Sequence, residues 1–131
     1  MEVVDHLLYT KEHEWINIEE DGNATIGISE YAQQALGDIT YVELPSIGHE
    51  VEQFEEFASI ESVKAATDIF SPMSGKIIEI NSVLDNKPEM INKSPYEKGW
   101  IIKIELSDLD EKSNLMTAAE YSKFLESVDL N

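Results

Sequence analysis

The stretch FASIESVKAATDIFSPMSG, residues 57–75, is the part of the chain that decides its interpretation. Two short strands, Phe57–Glu61 and Asp68–Phe70, flank a turn that carries a single lysine, Lys64. A charged residue at a hairpin tip is ordinarily a solvated surface group. The alternative is a lysine presented for covalent attachment, because a tip is exposed and its strands hold it rigidly. Since a lysine amine is protonated at neutral pH, a partner enzyme would have to deprotonate it and supply an activated acyl group.

The chain on either side of this hairpin has the alternating polarity of β-strands. Ala24, Ile26 and Ile28 alternate with small or polar residues, and Trp100–Leu106 has the same period of two. Further short strands, bounded by turn residues, are Trp15–Ile18, Asp38–Leu44 and Lys76–Ile80. Many short strands at this spacing predict a mainly β fold with two antiparallel sheets packed face to face.

Two segments have helical signals. Ser29 is placed to cap a short helix that runs through Leu36 and ends at Gly37 in the C′ position. Residues 117–120, Thr-Ala-Ala-Glu, form a capping box that opens a C-terminal helix over about residues 117–128. Residues 81–98 are polar and turn-rich, and they predict a structured loop.

Composition narrows the possible functions. The 131 residues carry 27 acidic and 9 basic side chains, all of the latter lysine, for a formal charge of −18. This length fits one domain, residues 1–131, and the charge disfavours nucleic acid and anionic membrane as partners. Zero cysteine excludes disulfides and thiolate chemistry. Without a visible signal peptide or an apolar run that could cross a bilayer, we expect a monomer in the cytoplasm, or in mitochondria if this is a mature eukaryotic form.

The sequence does not match the catalytic and metal-binding motifs with which we compared it. The chain has no Gly-x-Ser-x-Gly sequence, and its three histidines, His6, His13 and His49, are dispersed. Asp108 and Asp110 begin like a calcium loop, but Ser113 stands where the loop requires glycine. Hydrolysis and metal chemistry therefore have no specific support.

Several motifs together resemble the H-protein family of the glycine cleavage system, over nearly the whole chain. The attachment motif is Glu61-Ser62-Val63-Lys64-Ala65 with Ser71-Pro72-Met73-Ser74-Gly75. The other matching segments are Tyr9–Trp15, Thr25–Gln33, Leu36–Ile39, Val42–Pro45, Gly75–Asn81, Ser94–Tyr96 and Gly99–Trp100. Each segment alone is weak evidence for the resemblance, whereas the order and spacing of all of them together are specific.

The resemblance implies a barrel-sandwich hybrid of the lipoyl/biotinyl type and a non-catalytic carrier with lipoate attached to Lys64. The carrier would take the aminomethyl group of glycine from a pyridoxal-phosphate glycine decarboxylase to a tetrahydrofolate-dependent aminomethyltransferase, and then meet dihydrolipoyl dehydrogenase. A lipoate ligase or octanoyltransferase would modify it, and we expect Glu61 and Asp68 to help that enzyme recognise the hairpin. Glu14 is a candidate contact to the loaded arm; the alternative is that His13 and Glu14 face solvent on a strand beside a buried Trp15.

Rival functions remain. A biotin carrier would present its lysine on a similar hairpin. That lysine typically lies between two methionines, where this chain has Val63 and Ala65. A lipoyl or octanoyl relay protein, which donates the group to other 2-oxoacid dehydrogenase complexes, would need the same Lys64. The third alternative, a small hydrolase that uses His13 and Glu14, is the weakest because it lacks a nucleophile.

Overall fold

The computed structural model describes residues 1–129 as two antiparallel β-sheets with short helices at their edges. The larger sheet has six strands in the order β1-β2-β3-β9-β8-β5. They are β1 Leu8–Tyr9, β2 Glu14–Ile18, β3 Asn23–Ile28, β5 Glu50–Val51, β8 Gly75–Ile80 and β9 Ile102–Leu106. The smaller sheet has the order β4-β6-β7, with β4 Ile39–Glu43, β6 Glu56–Ser62 and β7 Ala66–Phe70. The predicted mainly β fold with two antiparallel sheets is confirmed.

The smaller sheet contains the hairpin around Lys64. Strands β6 and β7 pair antiparallel, with Ser59 opposite Asp68 and Glu61 opposite Ala66. Because side chains alternate across a strand, these four residues lie on one face, while Ile60 points to the other face and is fully buried. The hairpin therefore has one face in the core and one face in solvent.

The core lies between the two sheets. Ile26 and Ile104 of the larger sheet and Ile60 of the smaller sheet are all fully buried in it. Fully burying an aliphatic side chain of this size contributes roughly 1.5–3 kcal/mol. A second cluster contains Trp15 and Tyr121, and it packs the C-terminal helix against the outer part of the larger sheet.

The two helices with sequence signals are confirmed. Helix α1, Glu30–Leu36, begins after Ser29, whose Oγ accepts from the Ala32 N–H at 3.2 Å, and ends at Gly37, whose φ is 78°. Helix α4, Ala118–Asp129, opens with the reciprocal bonds of a capping box. In that box the Thr117 N–H donates to Glu120 and the Glu120 N–H donates to Thr117.

The prediction of a loop over residues 81–98 is wrong in part. Two four-residue helices occupy it, α2 Val83–Asn86 and α3 Met90–Lys93. Each is anchored by one fully buried side chain, Leu84 and Ile91 respectively. A helix of four residues is about one turn long and cannot show a helical period, so tertiary packing decides these helices. The sequence also did not indicate strands β1 and β5, or the 3₁₀ helix Leu109–Asn114. Among the residues described, no helix is both long and apolar enough to cross a bilayer.

Candidate functional site

Lys64 lies at the apex of a tightly closed turn. The Ser62 N–H donates to the Ala65 carbonyl at 2.8 Å, which closes the hairpin. The Ser62 hydroxyl oxygen accepts from the N–H groups of Lys64 and Ala65, at 3.2 and 3.1 Å. Serine favours such turns because its side chain can replace a backbone partner. The Lys64 side chain is exposed, so the turn presents it to other proteins.

The end of helix α1 supports this turn from the side. The Val63 N–H donates to the Asp38 carbonyl at 3.0 Å. The stem of Lys64 lies over Gly37, where an added Cβ would come 3.4 Å from Lys64 Cε. Asn92 fixes this support, because its amide donates to the Gly37 carbonyl and accepts from the Ile39 N–H, both at 2.9 Å. The lysine is therefore held by several elements, a feature that hairpin periodicity did not reveal.

The outer face of the hairpin is acidic. Glu61 and Asp68 are both exposed on it, as expected, but they are not cross-strand partners. Asp68 is the main cause that raises the pKa of Glu56, and desolvation and the charge of Glu43 raise it further. These repelling carboxylates give the hairpin a negatively charged surface, which favours partners with basic surfaces.

Glu14 is buried rather than solvent-facing, so the alternative that placed it in water is wrong. Its side chain is 1% exposed. One carboxylate oxygen accepts from the Thr10 hydroxyl, and the other accepts from the Phe70 N–H at 3.2 Å. Burial raises the pKa of Glu14 to about 7, although the bonds from Thr10 and Phe70 oppose the shift. Glu14 thus joins the turn between strands β1 and β2 to the far end of strand β7.

His13 bonds to a different part of the fold from Glu14, and it lies just before strand β2 rather than on it. Its φ is 72°, in the left-handed region, and its Nδ1 is 2.8 Å from the Tyr121 hydroxyl on helix α4. The Tyr121 hydroxyl is also 2.7 Å from the Ser29 hydroxyl. Burial lowers the pKa of His13. The His13 ring therefore anchors helix α4, whereas the Glu14 carboxylate bonds to Phe70 at the end of strand β7.

A cleft of about 440 Å³ lies where the turn between strands β1 and β2 meets the Phe70 end of the hairpin. Thr10 and Phe70 line it, and both bond to the Glu14 carboxylate, so Glu14 lies directly behind its wall. Its lining combines apolar side chains with polar and charged ones. The full lining is Tyr9, Thr10, Lys11, Glu12, Phe54, Phe70, Asn114 and Met116.

The sequence from the first strand to the last helix matches one family. Residues 7–128 match the model of the family described as Glycine cleavage H-protein. The chain belongs to this family. The glycine cleavage system H protein of Coprothermobacter proteolyticus is 50% identical over 125 residues, covering 95% of this chain and 98% of that protein. The mitochondrial glycine cleavage system H protein 2 of Arabidopsis thaliana is 53% identical over 128 residues, covering 97% of this chain and 81% of that protein.

Solved structures agree with the family assignment. A glycine cleavage system H protein from Mycobacterium marinum has a TM-score of 0.82 and 33% identity, covering 92% of this chain and 97% of that chain. Membership in the H-protein family supports a carrier role in glycine cleavage. Within the described part of the chain, no cluster of three or more acidic or histidine side chains is placed to hold a metal ion.

Proposed function

We propose that this chain is the lipoyl-bearing carrier of a glycine cleavage system and that lipoate is attached to the Nζ of Lys64. The observation that carries the proposal is an exposed lysine at the apex of a braced antiparallel turn, in a chain of the H-protein family. The proposed route runs from glycine decarboxylase to the aminomethyltransferase and then to dihydrolipoyl dehydrogenase. The protein itself supplies placement, and partner cofactors supply the chemistry.

The residues around Lys64 fit a lipoyl arm. Strand β7 leads from the turn to Phe70, and the four steps between its five residues, Ala66 to Phe70, advance about 13 Å. An arm of about twelve bonds, each advancing roughly 1.2 Å as in an extended chain, has a similar length. When bound, lipoamide supplies a dithiol–disulfide pair that can accept the aminomethyl group of glycine on one sulfur. The cleft at Phe70 offers apolar walls for such a chain and a carboxylate close behind them.

Glu14 is the residue proposed to hold the amine of the arm's cargo. The Thr10 hydroxyl and the Phe70 N–H both point hydrogens at its oxygens, an arrangement that suits the ionised carboxylate. A charge-assisted hydrogen bond to an ammonium group contributes roughly 1.5–3 kcal/mol. A pKa of about 7 leaves Glu14 partly protonated at neutral pH, so an approaching ammonium would shift it toward the ionised form. Docking of the cargo should therefore strengthen as pH rises from 6 to 8.

The acidic surface is proposed to select the partners. A charge of −18 can accelerate encounters with basic surfaces, at rates that fall with salt. We propose that the lipoate ligase or octanoyltransferase recognises Glu61 and Asp68, since both are exposed close to Lys64. We further propose that residues 1–131 act as one monomeric domain in the cytoplasm, or in mitochondria for a mature eukaryotic form.

Intact mass spectrometry tests the attachment site. After exposure to a lipoate ligase, the wild type should gain one lipoyl group, and Lys64→Ala should gain none. Lys76→Ala is the matched control, because Lys76 is also exposed but lies on strand β8 rather than at a turn, and it should be modified like the wild type. Lipoylation of Lys64→Ala would refute the proposal. Since the Lys64 side chain is exposed, loss of folding should not obscure the result.

A further inference from the structure

Phe54 has an unusual conformation for its residue type. Its φ is 65°, in the left-handed region that a bulky side chain rarely adopts. Its side chain is nevertheless 50% exposed, so the ring gains little burial in return. A large apolar residue that is both strained and half-exposed indicates a role beyond the stability of this chain.

The backbone around Phe54 is clamped to the segment that follows strand β7. The Phe54 N–H donates to the Ser71 carbonyl at 2.6 Å, and the Ser71 N–H donates to the Glu55 carbonyl at 2.8 Å. Next to it, the Gln53 N–H donates to the Ser74 hydroxyl and the Gln53 amide donates to the Pro72 carbonyl, at 2.8 and 3.0 Å. These bonds hold the backbone in its left-handed conformation and so fix where the Phe54 side chain leaves the chain.

The Phe54 ring lines the cleft described above, together with Phe70 and Met116. We propose that Phe54 is a positioning residue that covers the end of the lipoyl arm when Glu14 holds its cargo, and so keeps water from it. This inference rests on the proposed function, in which the arm on Lys64 reaches this cleft. The exposed half of the ring has apolar surface to bury against the arm, which favours the docked state.

Water is the reactant to be excluded. Attack on the cargo would break its carbon–sulfur bond, with the electron pair and a proton going to sulfur as a thiol. One water molecule supplies the oxygen, and the carbon and nitrogen leave as formaldehyde and ammonia. The rate of formaldehyde release from the loaded carrier, with no transferase present, therefore reports how well the cleft is covered.

The test compares lipoylated, aminomethylated Phe54→Gly with the wild type. Glycine removes the ring and also suits a φ of 65°, so its melting temperature should equal or exceed that of the wild type. Formaldehyde release should be roughly threefold faster or more, because the apolar cover is lost. Phe54→Tyr keeps the ring and should restore the wild-type rate. Leu109→Ala is the matched control, since Leu109 is 51% exposed and does not line the cleft.

A second readout follows the ring directly. With 4-fluorophenylalanine in place of phenylalanine, the fluorine resonance that Phe54→Gly removes should shift when the arm is loaded. An unshifted resonance, or wild-type formaldehyde release from Phe54→Gly, overturns the inference. Glu14→Gln, measured in parallel, separates the two proposals. If it accelerates release while Phe54→Gly does not, only the role of Phe54 fails; if neither does, docking in this cleft fails as well.

Discussion

Glu14→Gln should remove a pH dependence from the stability of the unmodified chain. Burial raises the pKa of Glu14 from 4.5 to about 7 in the folded protein. Between these values the folded state retains a proton that the unfolded state has lost. Stability from this group is therefore fully present below pH 4.5 and is lost as pH rises through 7. Glu12 adds to the shift by charge repulsion, whereas the bonds from Thr10 and Phe70 reduce it.

The size of the effect follows from the two pKa values. A difference of one unit corresponds to about 1.4 kcal/mol, so the shift of Glu14 corresponds to about 3 kcal/mol between pH 4.5 and 8. Glutamine cannot ionise, but its NH₂ group must face either the Thr10 hydroxyl or the Phe70 N–H, both of which donate to Glu14. This mismatch lowers the stability of Glu14→Gln by a nearly constant 1–3 kcal/mol, on the order expected for an unsatisfied buried donor. The slope with pH, and not the offset, is thus the informative quantity.

Urea unfolding from pH 4.5 to 8 measures this slope. The free energy of unfolding of the wild type, minus that of Glu14→Gln, should fall by about 3 kcal/mol over the range. Subtraction removes the titration of the other acidic residues, which both proteins share. Glu126→Gln, at an exposed position of helix α4, is the control for loss of a surface carboxyl group. Parallel stability curves for the wild type and Glu14→Gln would refute the reasoning about burial.

Four other substitutions test the hairpin, the larger sheet and helix α4. Glu61→Ala and Asp68→Ala should each slow lipoylation while changing the free energy of unfolding by at most about 1 kcal/mol, because both are surface charges; unaltered ligation kinetics would oppose their role. Gly75→Ala should destabilise by about 2 kcal/mol or more in urea, since its Cβ would lie 2.4 Å from the Glu105 carbonyl oxygen; a wild-type midpoint would contradict that contact. Thr117→Ala should lose about 1 kcal/mol by breaking the capping box, and a smaller loss in calorimetry would show that helix α4 depends on packing alone.

The strands of the hairpin and helix α1 were predictable because residues within or next to each element determine them. Alternating polarity placed Phe57–Glu61 within strand β6, and proline and glycine marked where β7 and β8 are separated. Ser29 and Gly37 placed the ends of helix α1, since a side-chain cap and a left-handed residue are local requirements. These features needed no knowledge of the distant chain.

The environment of Glu14 was not predictable in the same way. Its burial depends on Phe70, which is 56 positions away and whose N–H donates to its carboxylate. Strand alternation shows which residues share a face, but not which face the rest of the chain covers. His13 has a left-handed backbone that histidine's type alone would not suggest, and its partner Tyr121 is 108 positions away. The small helices around Leu84 and Ile91 were missed for the same reason, because tertiary burial decides them.

The most direct test of the central claim is exchange of labelled bicarbonate into glycine by glycine decarboxylase. Carrier function requires lipoylated wild-type chain to support the exchange and Lys64→Ala, treated identically with ligase, to support none. Lys76→Ala should exchange like the wild type. Label entering glycine with Lys64→Ala would contradict Lys64 as the attachment site. No exchange with the fully lipoylated wild type would contradict the carrier role and favour a relay that only donates its lipoyl group.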